Sequence, residues 1–146
     1  MNVAPQILKI TPGATVTTFY GFCSQSNCTD ANQPWAGLLQ GTDGDFYGTT
    51  QEGGTGFGTV FSLSVGLGPF VKTLPHSGEV GAAVRILGTG LTGTTSVSFN
   101  GMPAAFDVVS ATQITTAVPA GATSGKIQVT TPGETLLSSG LFLVLP

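Results

Sequence analysis

Basic side chains are scarce in this sequence of 146 residues, and their scarcity excludes several classes of partner. Only four lysines and arginines occur against seven acidic residues, which gives a net charge of −3. The four cations are scattered along the chain: Lys9, Lys72, Arg85 and Lys126. Because a nucleic-acid site needs clustered cations to neutralise several phosphates, we expect no nucleic-acid partner. The same scarcity argues against binding to an anionic membrane surface.

Long apolar runs and catalytic side chains are also lacking. No apolar run approaches the roughly 20 residues that span a bilayer, so we expect no membrane insertion. The single histidine is His76, and no nucleophile motif surrounds the neighbouring Ser77. Since acid–base catalysis has so few candidate groups here, the sequence predicts a protein that is not an enzyme.

Two motifs have the spacing of ligand sites, and we interpret both as turns. Gly88, Gly90 and Gly93 match a dinucleotide-binding pattern, but the segment after them alternates as a strand and not as a helix, so no cofactor is expected. Asp43 and Asp45 flank a glycine, and paired carboxylates can hold calcium. Asp-Gly is a preferred hairpin pair, however, and few other carboxylates lie nearby. These aspartates are a weak metal candidate, and no metal is expected.

The chain has only two cysteines, Cys23 and Cys28, separated by four polar residues. This spacing is compatible with a small disulfide ring, whereas zinc would need more ligands than the sequence supplies. A disulfide is favoured over free thiols. The first residues lack the features of a signal peptide, so either the chain is cytoplasmic or its signal has been removed. The cysteines favour an extracellular or cell-surface location.

Glycine and proline are abundant, and the second half alternates with a period of two between their turns. The alternating pairs are Val84 with Ile86, Val97 with Phe99, Phe106 with Val108, Ile114 with Val118, and Ile127 with Val129. Turn residues separate these strands at 88–93, 100–101, 119–121 and 132–133. We therefore expect an antiparallel β-sandwich whose apolar faces pack together.

The runs "VSFNG", "ITTAVPAGATSGKIQVTTPG" and "FLVLP" resemble the IPT/TIG family of immunoglobulin-like domains over about residues 70–146. The resemblance implies an early-set Ig-like β-sandwich that serves as a spacer, adhesion or polymer-binding module in large surface and secreted proteins. It implies no catalytic residues. Some family members bind DNA through basic loops, which this sequence lacks.

The first half predicts strands near 7–11, 15–22, 36–40, 45–50 and 58–64. Within it, "GLLQGTDGDFYGTT" followed by "GTVF" is similar to the GloVer tandem repeats of bacterial secreted proteins, over about residues 6–64. The resemblance implies an N-terminal antiparallel sheet like one four-stranded propeller blade. The expected domains are therefore residues 1–65, a blade-like repeat with a disulfide loop, and residues 66–146, the Ig-like sandwich.

An isolated blade leaves an edge strand and its sheet faces uncovered. The expected self-association edge is Ile7, Leu8, Lys9 and Ile10, and the expected partners are other copies or neighbouring β-repeats. The sequence thus favours a non-enzymatic bacterial surface or matrix module that acts by spacing, adhesion or self-assembly.

Aromatic residues support an alternative, a carbohydrate-binding module or an accessory domain of a larger secreted enzyme. Flat rings stack on sugar rings, and Trp35, Tyr47 and Phe57 are the candidate ligand-binding residues for a polysaccharide. Alternation sends Phe46 and Tyr47 to opposite faces of a strand, so at most one of these two rings can fill the core of a single sheet layer.

Overall fold

The computed structural model describes residues 4–146, so the first three residues of the expected 1–65 domain lie outside the described part. In that part the regular structure consists of β-strands and one short 3₁₀ turn at Ser26–Cys28, which confirms the all-β prediction. The chain divides into two compact units. The N-terminal unit contains Met1–Gly41 and Asp45–Val65, and the sandwich unit contains Thr42–Gly44 and Gly66–Pro146.

Five strands form the described part of the N-terminal unit: β1 (Gln6–Ile10), β2 (Val16–Gly21), β3 (Leu39–Gln40), β4 (Phe46–Thr50) and β5 (Thr59–Leu63). β1 and β2 make an antiparallel two-stranded ribbon with a bulge between Ile7 and Leu8. β3, β4 and β5 make a separate antiparallel sheet with β4 in the middle.

The N-terminal strands therefore form two small sheets and not the single four-stranded sheet expected of a blade. The long segment between β2 and β3 explains the difference. Cys23, Asn27, Cys28 and Gln33 all have positive φ, a conformation that extended strands do not contain. The chain folds there into the disulfide loop, and β2 does not pair with β3.

Ten strands form the sandwich unit: β6 (Lys72–Leu74), β7 (Ser77–Gly78), β8 (Ala83–Leu87), β9 (Ser96–Phe99), β10 (Met102–Ala104), β11 (Phe106–Ser110), β12 (Gln113–Ala117), β13 (Ile127–Thr130), β14 (Thr135–Leu137) and β15 (Leu143–Val144). One four-stranded sheet has the order β10-β9-β13-β14, and the other has the order β11-β12-β8-β6. β7 and β15 pair in parallel. The Leu143 N–H donates to the His76 carbonyl at 3.0 Å, and the Leu145 N–H donates to the Gly78 carbonyl at 3.0 Å.

The core of the sandwich unit lies between the two four-stranded sheets. Alternate residues of each strand point inward, as a half-buried sheet requires. The buried cluster consists of Val71, Val84, Ile86, Leu91, Val97, Phe99, Ile114, Val118, Ile127, Val129, Leu136 and Phe142. The rings of Phe99 and Phe142 meet edge to face with centroids 5.2 Å apart. Four of the five alternating pairs expected from the sequence are in this cluster.

The fifth expected pair does not share the core. Phe106 packs partly against the cluster, but Val108 is 39% exposed. Val108 pairs with the buried Ile114, but β11 is an edge strand, so Val108 lies at the margin of the core.

One two-residue hairpin shows how turn chemistry sets the register of the sandwich. Asn100 and Gly101 connect β9 to β10 with φ values of 46° and 88°. Both residues are left-handed, as a type I′ turn requires. The Asn100 side-chain amide donates to the Thr123 hydroxyl at 2.9 Å and to the Ser124 carbonyl at 3.2 Å, which ties the hairpin to the loop before β13.

Candidate functional site

The ribbon of β1 and β2 carries the residues expected to form a self-association edge. Ile7 to Ile10 all lie in β1, and among the described residues β1 has β2 as its one strand neighbour. The outer edge of β1 is therefore a row of backbone groups without a strand partner in residues 4–146, which is the arrangement that accepts an added strand.

Apolar side chains of this ribbon are exposed to solvent. Leu8 pairs with Thr18, and Ile10 pairs with Val16. Leu8, Ile10 and Val16 are all more than half exposed, and Ile10 reaches 67%. Because Leu8 and Ile10 are two residues apart, they lie on the same face of β1. The ribbon thus presents an apolar surface beside an open strand edge.

The three candidate aromatic residues lie in three different segments. Trp35, in the loop before β3, is 79% exposed, and its indole N–H donates to the Gln33 side-chain oxygen at 3.4 Å. Phe57, in the loop between β4 and β5, is 94% exposed. Tyr47 lies in β4 between Leu39 of β3 and Ser62 of β5, and it is half-buried.

The disulfide loop is organised by one carboxylate. Cys23 and Cys28 are joined by a disulfide. The Asp30 Oδ2 atom accepts hydrogen bonds from the Ser24 hydroxyl at 2.7 Å and from the Ser24 N–H at 2.9 Å. These hydrogen bonds, with the Ser24 hydroxyl as the largest cause, lower the pKa of Asp30 to about 2. The carboxylate is consequently charged at neutral pH and fixed in position.

A small cavity lies beside this loop, and no sequence motif predicts it. Its volume is about 120 Å³, and its lining consists of Tyr20, Phe22, Asp30, Ala31, Phe61, Ser62 and Leu63. These residues come from β2, from the loop after it and from β5, so only the tertiary fold brings them together. Phe22 directly precedes the disulfide-bonded Cys23. This adjacency is the one feature of the sequence that indicates a fixed position for the Phe22 ring.

The two aspartates of the weak metal candidate flank the turn between β3 and β4. Asp43 belongs to the sandwich unit and Asp45 to the N-terminal unit. Among residues 4–146 no group of three or more His, Cys, Asp or Glu side chains is placed to hold a metal ion. In the same residues, no helix has the length and apolar character needed to cross a membrane.

Two facing antiparallel sheets with a shared apolar core define the second unit as an immunoglobulin-like β-sandwich. Residues 70–144, just over half of the chain, match the family described as "IPT/TIG domain", and the chain belongs to this family. Domains of this family are generally non-catalytic Ig-like modules. The likeness of residues 6–64 to GloVer repeats is not confirmed by the comparisons and stays a prediction.

One solved structure to which part of the chain is similar is the crystal structure of an auxiliary nutrient binding protein from Bacteroides ovatus. The two chains are 21% identical with a TM-score of 0.43, and the match covers 52% of this chain and 20% of that one. The matched region is thus about a fifth of the length of that protein. No curated protein is a significant match to the chain.

Proposed function

We propose that this chain is a non-enzymatic structural module of an extracellular bacterial surface or matrix protein. In this proposal the IPT/TIG sandwich is a spacer, and the N-terminal unit joins other β-structure by strand addition along β1. The partner is another copy of the chain or a neighbouring β-repeat. The disulfide between Cys23 and Cys28 is compatible with an oxidising location such as the cell surface.

The ribbon of β1 and β2 carries this proposal. Soluble proteins usually protect an edge strand with charged residues, proline or a covering loop. β1 has one charged residue, Lys9, between the exposed Leu8 and Ile10. An added strand would pair with the outer backbone groups of β1 and would cover these apolar side chains at the same time.

The test is the absolute molar mass in solution, measured by light scattering over a concentration series. We expect defined multiples of 14.7 kDa that become more populated as the concentration rises. The double variant Leu8→Lys/Ile10→Lys puts two more charges on the face of β1, and it should remain a monomer. A mass of one chain at every concentration for the wild-type protein would overturn the assembly proposal.

A matched control variant separates strand addition from non-specific association through exposed apolar side chains. Val109 is another exposed aliphatic residue, on edge strand β11 of the sandwich, and it is 59% exposed. Val109→Lys should assemble as the wild-type protein does. Equal loss of assembly in both variants would mean that the chains associate through exposed apolar side chains in general and not by strand addition at β1.

Polysaccharide binding is a second candidate function, favoured by the exposure of Trp35 and Phe57. Covering an exposed aromatic ring removes apolar surface from water and is therefore favourable. The apolar faces of sugar rings are suitable partners for such rings. Gel electrophoresis with soluble polysaccharides in the matrix tests this function. Trp35→Ala should abolish a mobility shift that Val109→Lys retains, and an unchanged shift in Trp35→Ala would exclude Trp35 from the site.

A further inference from the structure

The cavity of the N-terminal unit has the shape and the charge of a site for a cation. Three of its walls are the aromatic rings of Tyr20, Phe22 and Phe61. Tyr20 and Phe22 have centroids 5.1 Å apart at 78°, and Phe22 and Phe61 have centroids 5.3 Å apart at 68°. Because neighbouring rings are close to perpendicular, they form a corner around the cavity and not a flat stack.

The fourth wall provides the charge. Asp30 is the one ionisable acid among the lining residues, and no lysine or arginine is among them. Both hydrogen bonds from Ser24 go to Oδ2, the Gln25 N–H contacts Oδ1 at 3.4 Å, and the Ala31 backbone also interacts with the carboxylate. The low pKa of Asp30, about 2, means that this carboxylate is negative throughout the physiological range. The negative charge of the carboxylate and the negative electrostatic potential of aromatic ring faces both attract a cation.

The size and the lining of the cavity indicate which class of cation fits it. A volume of about 120 Å³ lies well below the roughly 300–1,000 Å³ of sites for drug-sized ligands, so the cavity has room for a small head group and not for a chain of sugars. A primary ammonium group brings three N–H donors, and burying donors without acceptors is costly. The side chains lining the cavity are mostly apolar, and their acceptors are the Asp30 carboxylate, which already accepts from Ser24, and the hydroxyls of Tyr20 and Ser62. A methylated ammonium has no N–H donors to satisfy.

We propose that Tyr20, Phe22, Phe61 and Asp30 form a binding site for a quaternary, methylated ammonium group. Cation–π attraction to the rings and charge attraction to Asp30 supply the affinity. The site lies within the N-terminal unit and is distinct from the open edge of β1 and from Trp35, Tyr47 and Phe57. It goes beyond the proposed structural function and does not depend on it.

The experiment is an NMR titration of the ¹⁵N-labelled full chain with choline chloride at constant ionic strength. We expect saturable shifts confined to the amides of the cavity lining and of Ser24, with a dissociation constant in the millimolar range. Two matched probes define the chemistry. The neutral isostere 3,3-dimethylbutan-1-ol and the primary amine ethanolammonium should each bind at least about tenfold more weakly. Equal binding of the neutral isostere would overturn the proposal, and so would stronger binding of the primary amine.

Variants test the two sources of affinity separately. Asp30→Asn removes the charge, and Tyr20→Leu removes a ring that is 38% exposed and therefore tolerant of substitution. Each should weaken choline binding at least about tenfold. Tyr20→Phe keeps the ring, and Asp107→Asn removes an exposed acid of β11 in the sandwich unit. Both should bind as the wild-type protein does.

The spectra also report folding, so a misfolded variant is recognised directly. If Asp30→Asn disturbs the loop, Tyr20→Leu and Tyr20→Phe still decide the outcome, because their comparison depends on the ring alone. The absence of localised shifts with choline in the folded wild-type protein would overturn the proposal. Unchanged choline affinity in a folded Tyr20→Leu variant would overturn it as well.

Discussion

The sandwich unit and the N-terminal unit are both built from β-strands, yet they bury apolar side chains to very different extents. In the sandwich unit, twelve buried hydrophobic residues form one continuous cluster. Among the described residues of the N-terminal unit, the buried hydrophobic residues are Phe22 and Ala31. Strand pairing alone therefore does not produce a core, because a core also needs a second sheet that faces the first.

The distribution of apolar residues within each strand explains this difference. In β8, Val84 and Ile86 are buried while Ala83 and Arg85 are exposed, so one face is committed to the core. In β1, Ile7 is half-buried while Leu8 and Ile10 on the opposite face are exposed. A strand with apolar residues on both faces cannot cover both faces within a two-stranded ribbon.

Local interactions replace a core in the N-terminal unit. The disulfide closes a loop between residues five apart in sequence, and the Asp30 carboxylate holds the inside of that loop. The hydroxyls of Thr50 and Thr59 hydrogen-bond across the hairpin of β4 and β5 at 2.7 Å. Small units with little buried apolar area commonly depend on such cross-links.

The largest expected change in stability comes from removing a buried ring, and removing an exposed ring should change stability little. Phe99→Ala should lower the free energy of unfolding of the sandwich unit by about 3–5 kcal/mol, because it removes a ring from the packed cluster and leaves a cavity. Phe57→Ala, at a ring that is 94% exposed, should change stability by less than about 0.5 kcal/mol. Urea denaturation followed by the NMR signals of each unit measures both. Similar losses in the two variants would contradict the comparison.

A smaller loss of stability is expected when the disulfide is removed. Cys23→Ser/Cys28→Ser should destabilise the N-terminal unit by about 2 kcal/mol, the loop-closure contribution for so short a ring. Hydrogen exchange of the Phe22 and Cys23 amides, which donate to the Pro5 and Ala31 carbonyls, reports this loss. The amide of Leu91, which donates to the Ala111 carbonyl in the sandwich unit, is the internal control. Unchanged exchange at Phe22 would show that the hairpins suffice without the disulfide.

The smallest expected effect is a pH dependence confined to the disulfide loop. The folded pKa of Asp30 is about 2, below its ordinary value of 3.8, so the stabilisation is complete above pH 3.8 and is lost as the pH falls towards 2. NMR shifts of the Ser24 amide should therefore titrate near pH 2. In Ser24→Ala the pKa of Asp30 should rise towards 3.8, because the hydroxyl donor is absent. A titration midpoint that is the same in both proteins would contradict this assignment.

The sandwich unit was largely predictable from the sequence because its local signals agree with one another. Asn100-Gly101 predicts a turn, and the alternation of Val97 and Phe99 predicts the buried face of the strand before it. The exposure of Val108 was not predictable, since it depends on the position of β11 at a sheet edge.

The N-terminal unit was predictable at the level of strands but not of sheets. The strands expected near 45–50 and 58–64 correspond to β4 and β5, and their pairing follows from a hairpin. The separation of β1 and β2 from the other strands depends on the path of the disulfide loop, which no periodicity describes. The cavity combines Tyr20, Asp30 and Phe61, which are too far apart in sequence to form a motif.

The parallel pairing of β7 with β15 has a mechanical consequence for the proposed spacer role. β7 lies near the start of the sandwich unit and β15 lies at its end, so tension applied to the two ends of this unit pulls the paired strands in opposite directions along their length. The hydrogen bonds from Leu143 to His76 and from Leu145 to Gly78 are then loaded together in shear. Bonds that must break simultaneously resist force better than bonds that open one after another. We therefore expect the pairing of β15 with β7 to resist stretching of the sandwich unit.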